Sequence, residues 1–106
     1  MSTPLPGKPT DATGTGRPVM ILLDLLGRRT ALRILWELRE TRLNFRALQN
    51  AAQSNPSALN ARLKELREAL IVDHDETGYG LTADGQTLLQ TLQPLHNWAE
   101  DWAKKF

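Results

Sequence analysis

The stretch from Asn55 to Leu70, NPSALNARLKELREAL, decides the fold of this chain. Its leucines recur at spacings of four, three and four residues, which places them on one buried stripe of an α-helix. Asn55 is a good N-cap and Pro56 suits the first helical position, where a missing N–H costs nothing. The sequence therefore predicts a helix over about residues 56–69, buried along Leu59, Leu63, Leu66 and Leu70.

The opposite face of this helix is polar, and its side chains are small near the start of the helix. A helix of this kind can approach another surface closely, and the major groove of DNA admits a helix. An ordinary amphipathic helix with a solvated outer face has the same pattern, so the neighbouring segments must decide. The outer face and its flanks carry Ser57, Asn60, Ala61, Lys64, Glu65, Arg67 and Glu68.

Composition limits the class of protein. A chain of 106 residues with 41% hydrophobic and 24% charged residues is typical of one small soluble domain. No apolar run is long enough to span a bilayer and the N-terminus has no apolar signal core, so we expect a cytoplasmic protein that does not bind membranes. The absence of cysteine excludes disulfides, thiolate metal sites and thiol sensors.

Charge is distributed unevenly along the chain although the net charge is only +1. Residues 28–70 hold nine basic and four acidic side chains, whereas residues 71–106 hold two lysines and six acids. This asymmetry favours contact between one part of the chain and a polyanion. Ion pairing on solvated helix faces is the alternative, because Glu65 and Glu68 partly offset their basic neighbours.

The N-terminal part divides into a tail and the start of the domain. Residues 1–17 are rich in Pro, Gly, Thr and Ser and predict a disordered or loosely docked tail, followed by one domain over residues 18–106. Pro18 to Leu26 predicts a helix that is apolar nearly all round, hence buried on more than one side. Arg28 to about Arg39 predicts a second helix, either central in the core or shared with a second subunit.

Two further helices follow a connection at residues 40–43. Asn44 can cap a short helix over Phe45 to about Ala52, with Phe45, Leu48 and one alanine pointing inward. Gln53 and Ser54 then lead directly into the helix over 56–69. Two short helices joined by a tight turn predict a helix-turn-helix.

A two-stranded wing is predicted next. Ile71 to Asp75 alternates, Thr77 and Gly78 supply turn chemistry, and Tyr79 to Leu81 returns as the second strand. The wing tip is acidic and repels phosphate, so at most Tyr79 or the backbone near Gly78 is expected to touch DNA. His74 points away from its flanking aspartates on a strand, so no metal site is predicted there.

The last predicted helix begins at the cap Thr82 and carries a long apolar seam. Pro94 removes one backbone hydrogen bond and is expected to kink or break the helix near Thr91 to Gln93. The two tryptophans at the end of the seam indicate dimer anchors. His96 and Glu100 lie one turn apart, but two possible ligands do not make a metal site. The seam consists of Leu88, Leu92, Leu95, Trp98 or Ala99, Trp102 and Phe106.

In order and spacing, these segments resemble the HxlR family of winged helix-turn-helix transcriptional regulators, relatives of the MarR group. LLGRRTALRILWEL, NFRALQ, NPSALNARLKELREALIV and YGLTADGQTLL are similar to the family's opening helix, its second helix, its recognition segment and its wing exit. The resemblance covers about Pro18 to Trp102. Leu70 stands where a glycine is common, so we expect the helix to run longer or to end without a left-handed residue.

The resemblance implies a mainly α fold with a small two-stranded β wing, and a homodimer paired through the N- and C-terminal helices. Each recognition helix would then enter a major groove of a palindromic site in double-stranded DNA. The dimer interface implied for this chain consists of Met20, Leu22, Leu23, Leu95, Trp98, Trp102 and Phe106.

The sequence thus predicts a DNA-binding regulator without enzymatic activity, cofactor or metal, and it indicates no particular effector. Ser57, Asn60 and Lys64 are the candidates for base edges and nearby phosphates, and Ala61 for a thymine methyl. A protein-interaction module that lost DNA binding is the alternative, and no nucleophile with a neighbouring base supports an enzyme. Further DNA-contact candidates are Arg42, Arg46, Arg62 and Arg67 for the backbone, the cap Asn55, and Tyr79.

Overall fold

Five helices and one antiparallel hairpin make up residues 17–106, which are the residues that the computed structural model describes. This architecture confirms the predicted mainly α class with a small β wing. Apart from Arg17, the predicted tail lies outside the described residues. The elements are α1 (Pro18–Leu26), α2 (Ala31–Glu37), α3 (Phe45–Ala52), α4 (Pro56–Glu68), β1 (Val72–Asp75), β2 (Gly78–Leu81) and α5 (Ala83–Ala103).

The core forms where α4 packs against α2 and α3. Leu59, Leu63 and Leu66 are buried, which confirms three of the four leucines predicted for the stripe. They belong to one apolar cluster with residues of α1, α2 and α3, including Leu26, Ile34 and Leu48. Fully burying one such side chain contributes about 1.5–3 kcal/mol relative to leaving it exposed. The stripe therefore holds α4 against the other helices.

The prediction for Leu70 was wrong. Helix α4 ends at Glu68, and Leu70 is 68% exposed with a left-handed φ of 64°. The amide of Ile71 donates to the carbonyl of Leu66 at 3.0 Å, closing the turn that follows the helix. The chain therefore needs a left-handed residue at this helix end, and it uses Leu70 where glycine would fit without strain.

Helix α2 is shorter than predicted. Thr30 has φ 81°, so the helix begins at Ala31 and not at Arg28, and it ends at Glu37. Ile34 and Leu35 are fully buried, but Leu32 and Trp36 on the other side are about half exposed. One face of α2 is therefore fully covered within the protomer, and the other only in part.

The predicted helix-turn-helix consists of α3, a short turn and α4. Phe45, Leu48 and Ala52 face the core, as expected from the sequence. Asn44 caps α3 by accepting a hydrogen bond from the amide of Ala47 at 2.8 Å. Gln53 closes the helix with a left-handed φ of 53°, which turns the chain directly into α4.

The wing is the hairpin of β1 and β2, paired so that Val72 faces Leu81 and His74 faces Tyr79. An additional bridge joins it to the segment before α3: the amide of Tyr79 donates to the carbonyl of Leu43 at 2.8 Å, and the amide of Leu43 donates in return at 3.0 Å. Gly78 has φ 119°, and a Cβ there would collide with the Leu43 carbonyl. A glycine is therefore required where the wing meets this segment.

Helix α5 is continuous from Ala83 to Ala103, so of the two outcomes predicted near Pro94, a kink or a break, the break does not occur. Thr82 caps it as predicted by accepting from the amide of Gly85 at 3.0 Å. The first half of α5 packs its leucines on the core, whereas residues 93–103 are all exposed. Within residues 17–106, neither this helix nor another is long and apolar enough to cross a membrane.

Candidate nucleic-acid interface

Helix α4 presents its predicted outer face to solvent. Ser57, Asn60, Ala61 and Lys64 are all exposed, opposite the buried leucines. Asn55 caps the helix, its side-chain oxygen accepting from the amide of Ala58 at 2.8 Å. The start of α4 is therefore fixed by its cap, and the short polar side chains of its outer face are exposed to solvent.

A cleft of about 700 Å³ separates α4 from the wing. Asn60, Lys64 and Arg67 line one wall, and Asp73, His74 and Tyr79 line the other. Four sequence-predicted residues, Asn60, Lys64, Arg67 and Tyr79, therefore share one concave surface. The Tyr79 ring is partly used within the wing, because it stacks on His74 with ring centroids 4.3 Å apart.

The four arginines predicted to contact the DNA backbone fall into two pairs. Arg46, in the first turn of α3, and Arg67, on α4, are exposed. Arg42 and Arg62 are half-buried and hold carboxylates of this same chain. The structure thus leaves two of these cations directed to solvent and engages the other two internally.

Arg62 belongs to a three-residue network on the flank of α4 away from the wing. Its Nε donates to Oε1 of Glu65 at 2.6 Å, and Nη1 of Arg28 donates to Oε2 of the same carboxylate at 2.5 Å. Glu65 is largely buried, with 13% of its side chain exposed. Sequence reasoning assigned no contact to Arg28, because its partner lies 37 residues away on helix α4.

Arg42 holds the wing. Its Nη2 donates to Oδ1 of Asp73 at 2.7 Å and to the carbonyl of Gly78 at 2.8 Å, and its Nε lies 3.2 Å from Oδ1 of Asp75. The hydrogen bond to Asp73 raises the pKa of Arg42. The pKa of Asp75 is lowered, chiefly because the hydroxyl and amide of Thr77 both donate to its carboxylate. Asp75 is therefore ionised at neutral pH.

Exposed large apolar side chains lie on α1 and on the C-terminal part of the chain, from α5 to Phe106. Trp98 and Trp102 stack with centroids 6.0 Å apart, and Phe106 meets Trp102 edge-on at 5.3 Å. Leu22, which was predicted in the same group, is half-buried against the protomer's own core. We call the exposed set the terminal apolar surface; it consists of Met20, Leu23, Leu95, Trp98, Trp102 and Phe106.

A groove of about 430 Å³ lies between α2 and α5. Trp36 and His96 face each other across it with nearly parallel rings 6.4 Å apart, and Arg39 covers the Trp36 ring at 3.9 Å. Leu32 and Leu92 add apolar lining. Sequence reasoning assigned Leu32 and Trp36 to an apolar helix face without identifying this groove.

Metal binding finds no support in the geometry. His96 lies 3.6 Å from Glu100, but the pair has no third ligand. In the part of the chain that the structure describes, no group of three or more His, Asp or Glu side chains is placed to hold a metal ion.

Known proteins share this arrangement. A family profile described as HxlR-like helix-turn-helix matches residues 25–106. An uncharacterized HTH-type transcriptional regulator of Methanocaldococcus jannaschii is 26% identical over 88 residues, which cover 78% of this chain and 83% of that protein. The crystal structure of quinone-bound YodB from B. subtilis matches with a TM-score of 0.69 and 27% identity, covering 83% of this chain and 97% of that one. The predicted fold and family resemblance are thereby confirmed.

Proposed function

The chain belongs to the HxlR-like helix-turn-helix family, a family of transcriptional regulators and not of enzymes, and from this premise we propose that it binds double-stranded DNA as a cytoplasmic homodimer. The observation that carries the proposal is the outer face of α4. Its small polar side chains and Lys64 project from a rigidly capped helix beside a cleft. A helix of this kind fits the major groove.

Base contacts are assigned to the start and middle of α4. Asn60 can pair with an adenine edge, Ser57 with either kind of base, and the Ala61 methyl with a thymine methyl. Lys64, Arg67 and Arg46 are the phosphate contacts, because their side chains are exposed on the same side as the cleft or in the adjoining first turn of α3. Asn55 contributes by fixing the start of the helix, and Tyr79 contacts the backbone from the wing.

The homodimer is supported by the terminal apolar surface. A monomeric protein rarely exposes a continuous patch that includes two tryptophans and a phenylalanine. Pairing two copies through this surface covers it and creates a two-fold axis. Two α4 helices related in this way would read half-sites about 34–36 Å apart on a palindromic operator.

The alternative of a protein-interaction module rested on the acidic wing and on the modest net charge of +1. Asp73 and Asp75 are both engaged by Arg42, so the wing is less repulsive to phosphate than the sequence indicated. DNA binding is therefore the function that the geometry supports better.

Planar aromatic compounds are the effector class to test first, because the similar YodB structure is quinone-bound. This chain has no cysteine, so a quinone would have to bind without forming a thiol adduct. The groove between α2 and α5, with Trp36 and His96 as its aromatic walls, suits such a ring. Calorimetry with a benzoquinone tests this: binding that the Trp36→Ala variant loses supports the site, and equal binding by both proteins excludes it.

Selection of bound sequences from random duplex DNA tests the proposed function. The expected result is a palindromic consensus whose half-sites are about one helical turn apart, bound more weakly as salt rises. Recovery of no consensus, together with no retention of duplex in dilute buffer, would contradict the proposal.

A further inference from the structure

Arg42, which the sequence predicted as a contact to the DNA backbone, lies where the wing meets the segment before α3. Arg42 directly precedes Leu43, the residue that forms the bridge with Tyr79 of β2. Its side chain therefore starts at the junction between the wing and the segment before α3. The side chain is 30% exposed, so most of it is buried.

The wing holds this side chain in place through several contacts. Arg42 donates from Nη2 to Asp73 and to the carbonyl of Gly78, while Nε faces Asp75. Gly80 lies beneath the guanidinium, and a Cβ at that position would collide with Nη1 and lie 2.7 Å from Cζ. Two carboxylates of β1, together with the Gly78 carbonyl and Gly80 of β2, thus fix the position of a single cation.

The ion pair between Arg42 and Asp73 matters for DNA binding because of where Asp73 lies. Asp73 lines the cleft wall opposite Lys64 and Arg67, where a phosphate attracted by those cations would enter. Its carboxylate oxygen is occupied by Arg42 at 2.7 Å. Without the arginine, the carboxylate could rotate towards the cleft and oppose the phosphate.

We propose that Arg42 is a positioning residue of the DNA-binding surface: it holds the carboxylates of Asp73 and Asp75 on the wing and keeps them from facing the DNA backbone. This inference rests on the proposed DNA-binding function. It replaces a direct phosphate contact by Arg42, because Nη2 already donates to Asp73 and Gly78 within the wing and most of the side chain is buried there. It also explains how a wing with an acidic sequence can border a DNA-binding cleft.

A double-mutant cycle tests the proposal on the full-length protein with the selected duplex. Arg42→Met is measured alone and in the Asp73→Asn, Asp75→Asn background, by fluorescence anisotropy. With both acids present, we expect Arg42→Met to weaken binding roughly tenfold, equivalent to about 1.4 kcal/mol. With both acids replaced, its effect should fall below about threefold, because there is no carboxylate left to restrain.

Two controls separate positioning from net charge and from unfolding. Arg39→Met removes the same charge away from the cleft, from an arginine that covers Trp36, and should leave binding within about twofold. Gly80→Ala keeps every charge but displaces the guanidinium, and should weaken binding in the same direction as Arg42→Met. Thermal unfolding followed by circular dichroism identifies any variant that fails to fold.

The outcomes distinguish this inference from the proposed function. If the wild-type protein binds the duplex but Arg42→Met costs the same in both backgrounds, Arg42 acts as an independent charge or a direct contact and the inference is overturned. If the wild-type protein binds no duplex, the inference and the proposed function fail together. Coupling between Arg42 and the two aspartates, seen as an effect of Arg42→Met that nearly disappears when both acids are replaced, is the result that supports it.

Discussion

Arg28 and Glu65, 37 positions apart in the sequence, form an ion pair of 2.5 Å that joins the turn between α1 and α2 to the middle of α4. Arg62 donates to the same carboxylate from one turn back along α4. The network therefore links the helix that carries Met20 and Leu23 of the terminal apolar surface to the helix proposed to read DNA. It also directs Arg62 away from the wing side of α4.

Replacing Glu65 by glutamine should destabilise the fold. The neutral amide keeps the shape but leaves two half-buried guanidinium groups without a carboxylate, so we expect a loss of about 1–2 kcal/mol, between the values for exposed and buried pairs. Urea unfolding measures the change. Glu100→Gln is the matched control: its carboxylate is exposed and faces only His96, so its effect should stay below about 0.5 kcal/mol. Equal stability of Glu65→Gln and wild type would show that the network contributes nothing.

The sequence predicted the elements that follow from local pattern and capping. Leu59, Leu63 and Leu66 lie on the buried stripe as their spacing requires, and Asn44, Asn55 and Thr82 cap helices as predicted. Leu70 fits the same spacing but belongs to the turn, because the chain must reverse into β1 before another helical turn is complete. Pro94 lies inside a continuous α5, so the loss of one hydrogen bond on an exposed helix did not end it.

The site was less accessible to sequence reasoning because two of its arginines are paired over long distances in the sequence. Arg42 is the residue type expected of a phosphate contact, but its partners on β1 come near it only when the wing folds back. Arg62 pairs locally with Glu65, and the long-range member of that network is Arg28. Lys64 and Arg67 could be predicted because both lie on the exposed flank of one helix. Leu32 and Trp36 fitted an apolar face, but α5 covers that face only in part.

Replacing Leu70 by glycine should stabilise the protein. A non-glycine residue at φ 64° carries a steric cost of roughly 1–2 kcal/mol, and a side chain that is 68% exposed contributes little burial in return. The greater chain entropy of glycine in the unfolded state offsets part of this gain. We therefore expect a net gain of about 0.5–1 kcal/mol in the free energy of unfolding. Thermal and urea unfolding measure this change. Ala69→Gly, at a residue with φ −82°, should destabilise instead, and the same sign for both variants would contradict the explanation.

The hydroxyl of Thr77 should control the titration of Asp75. It donates to Oδ1 at 2.6 Å and is the largest cause of the lowered pKa, so Thr77→Val should raise the Asp75 pKa towards its usual value of 3.8. Carboxyl NMR during an acid titration measures this directly. Thr91→Val removes a hydroxyl that donates within α5, and should leave Asp75 unchanged.

The same pair predicts the direction of a pH effect on stability. Because the folded-state pKa of Asp75 lies below its usual value of 3.8 in the unfolded chain, the stabilisation is complete above that value. It is lost as the pH falls through the lower folded-state pKa. Thr77→Val should therefore reduce the difference between the free energy of unfolding at neutral pH and that at a pH below the folded-state pKa of Asp75. An unchanged difference, with an unchanged Asp75 titration, would contradict this assignment.

Trp98 should be an anchor of the dimer. It is 63% exposed in the protomer and stacks on Trp102, so its burial would require a second copy. Trp98→Ala should weaken association by about 2 kcal/mol or more, roughly thirtyfold in the dissociation constant. Sedimentation velocity over a concentration series measures the shift towards monomer. Leu70→Gly alters an exposed leucine outside the terminal apolar surface and should sediment as wild type; a monomeric wild-type protein would contradict the dimer.

The most direct test of the central claim is an anisotropy titration of the selected duplex with wild-type protein and with Lys64→Glu, at several salt concentrations. The account predicts two protomers per duplex, affinity that falls as salt rises, and binding at least about tenfold weaker for Lys64→Glu. Lys104→Glu makes the same charge change at the end of α5 and should bind as wild type. Indistinguishable affinities of Lys64→Glu and wild type, or no binding by either protein in dilute buffer, would contradict a recognition role for α4.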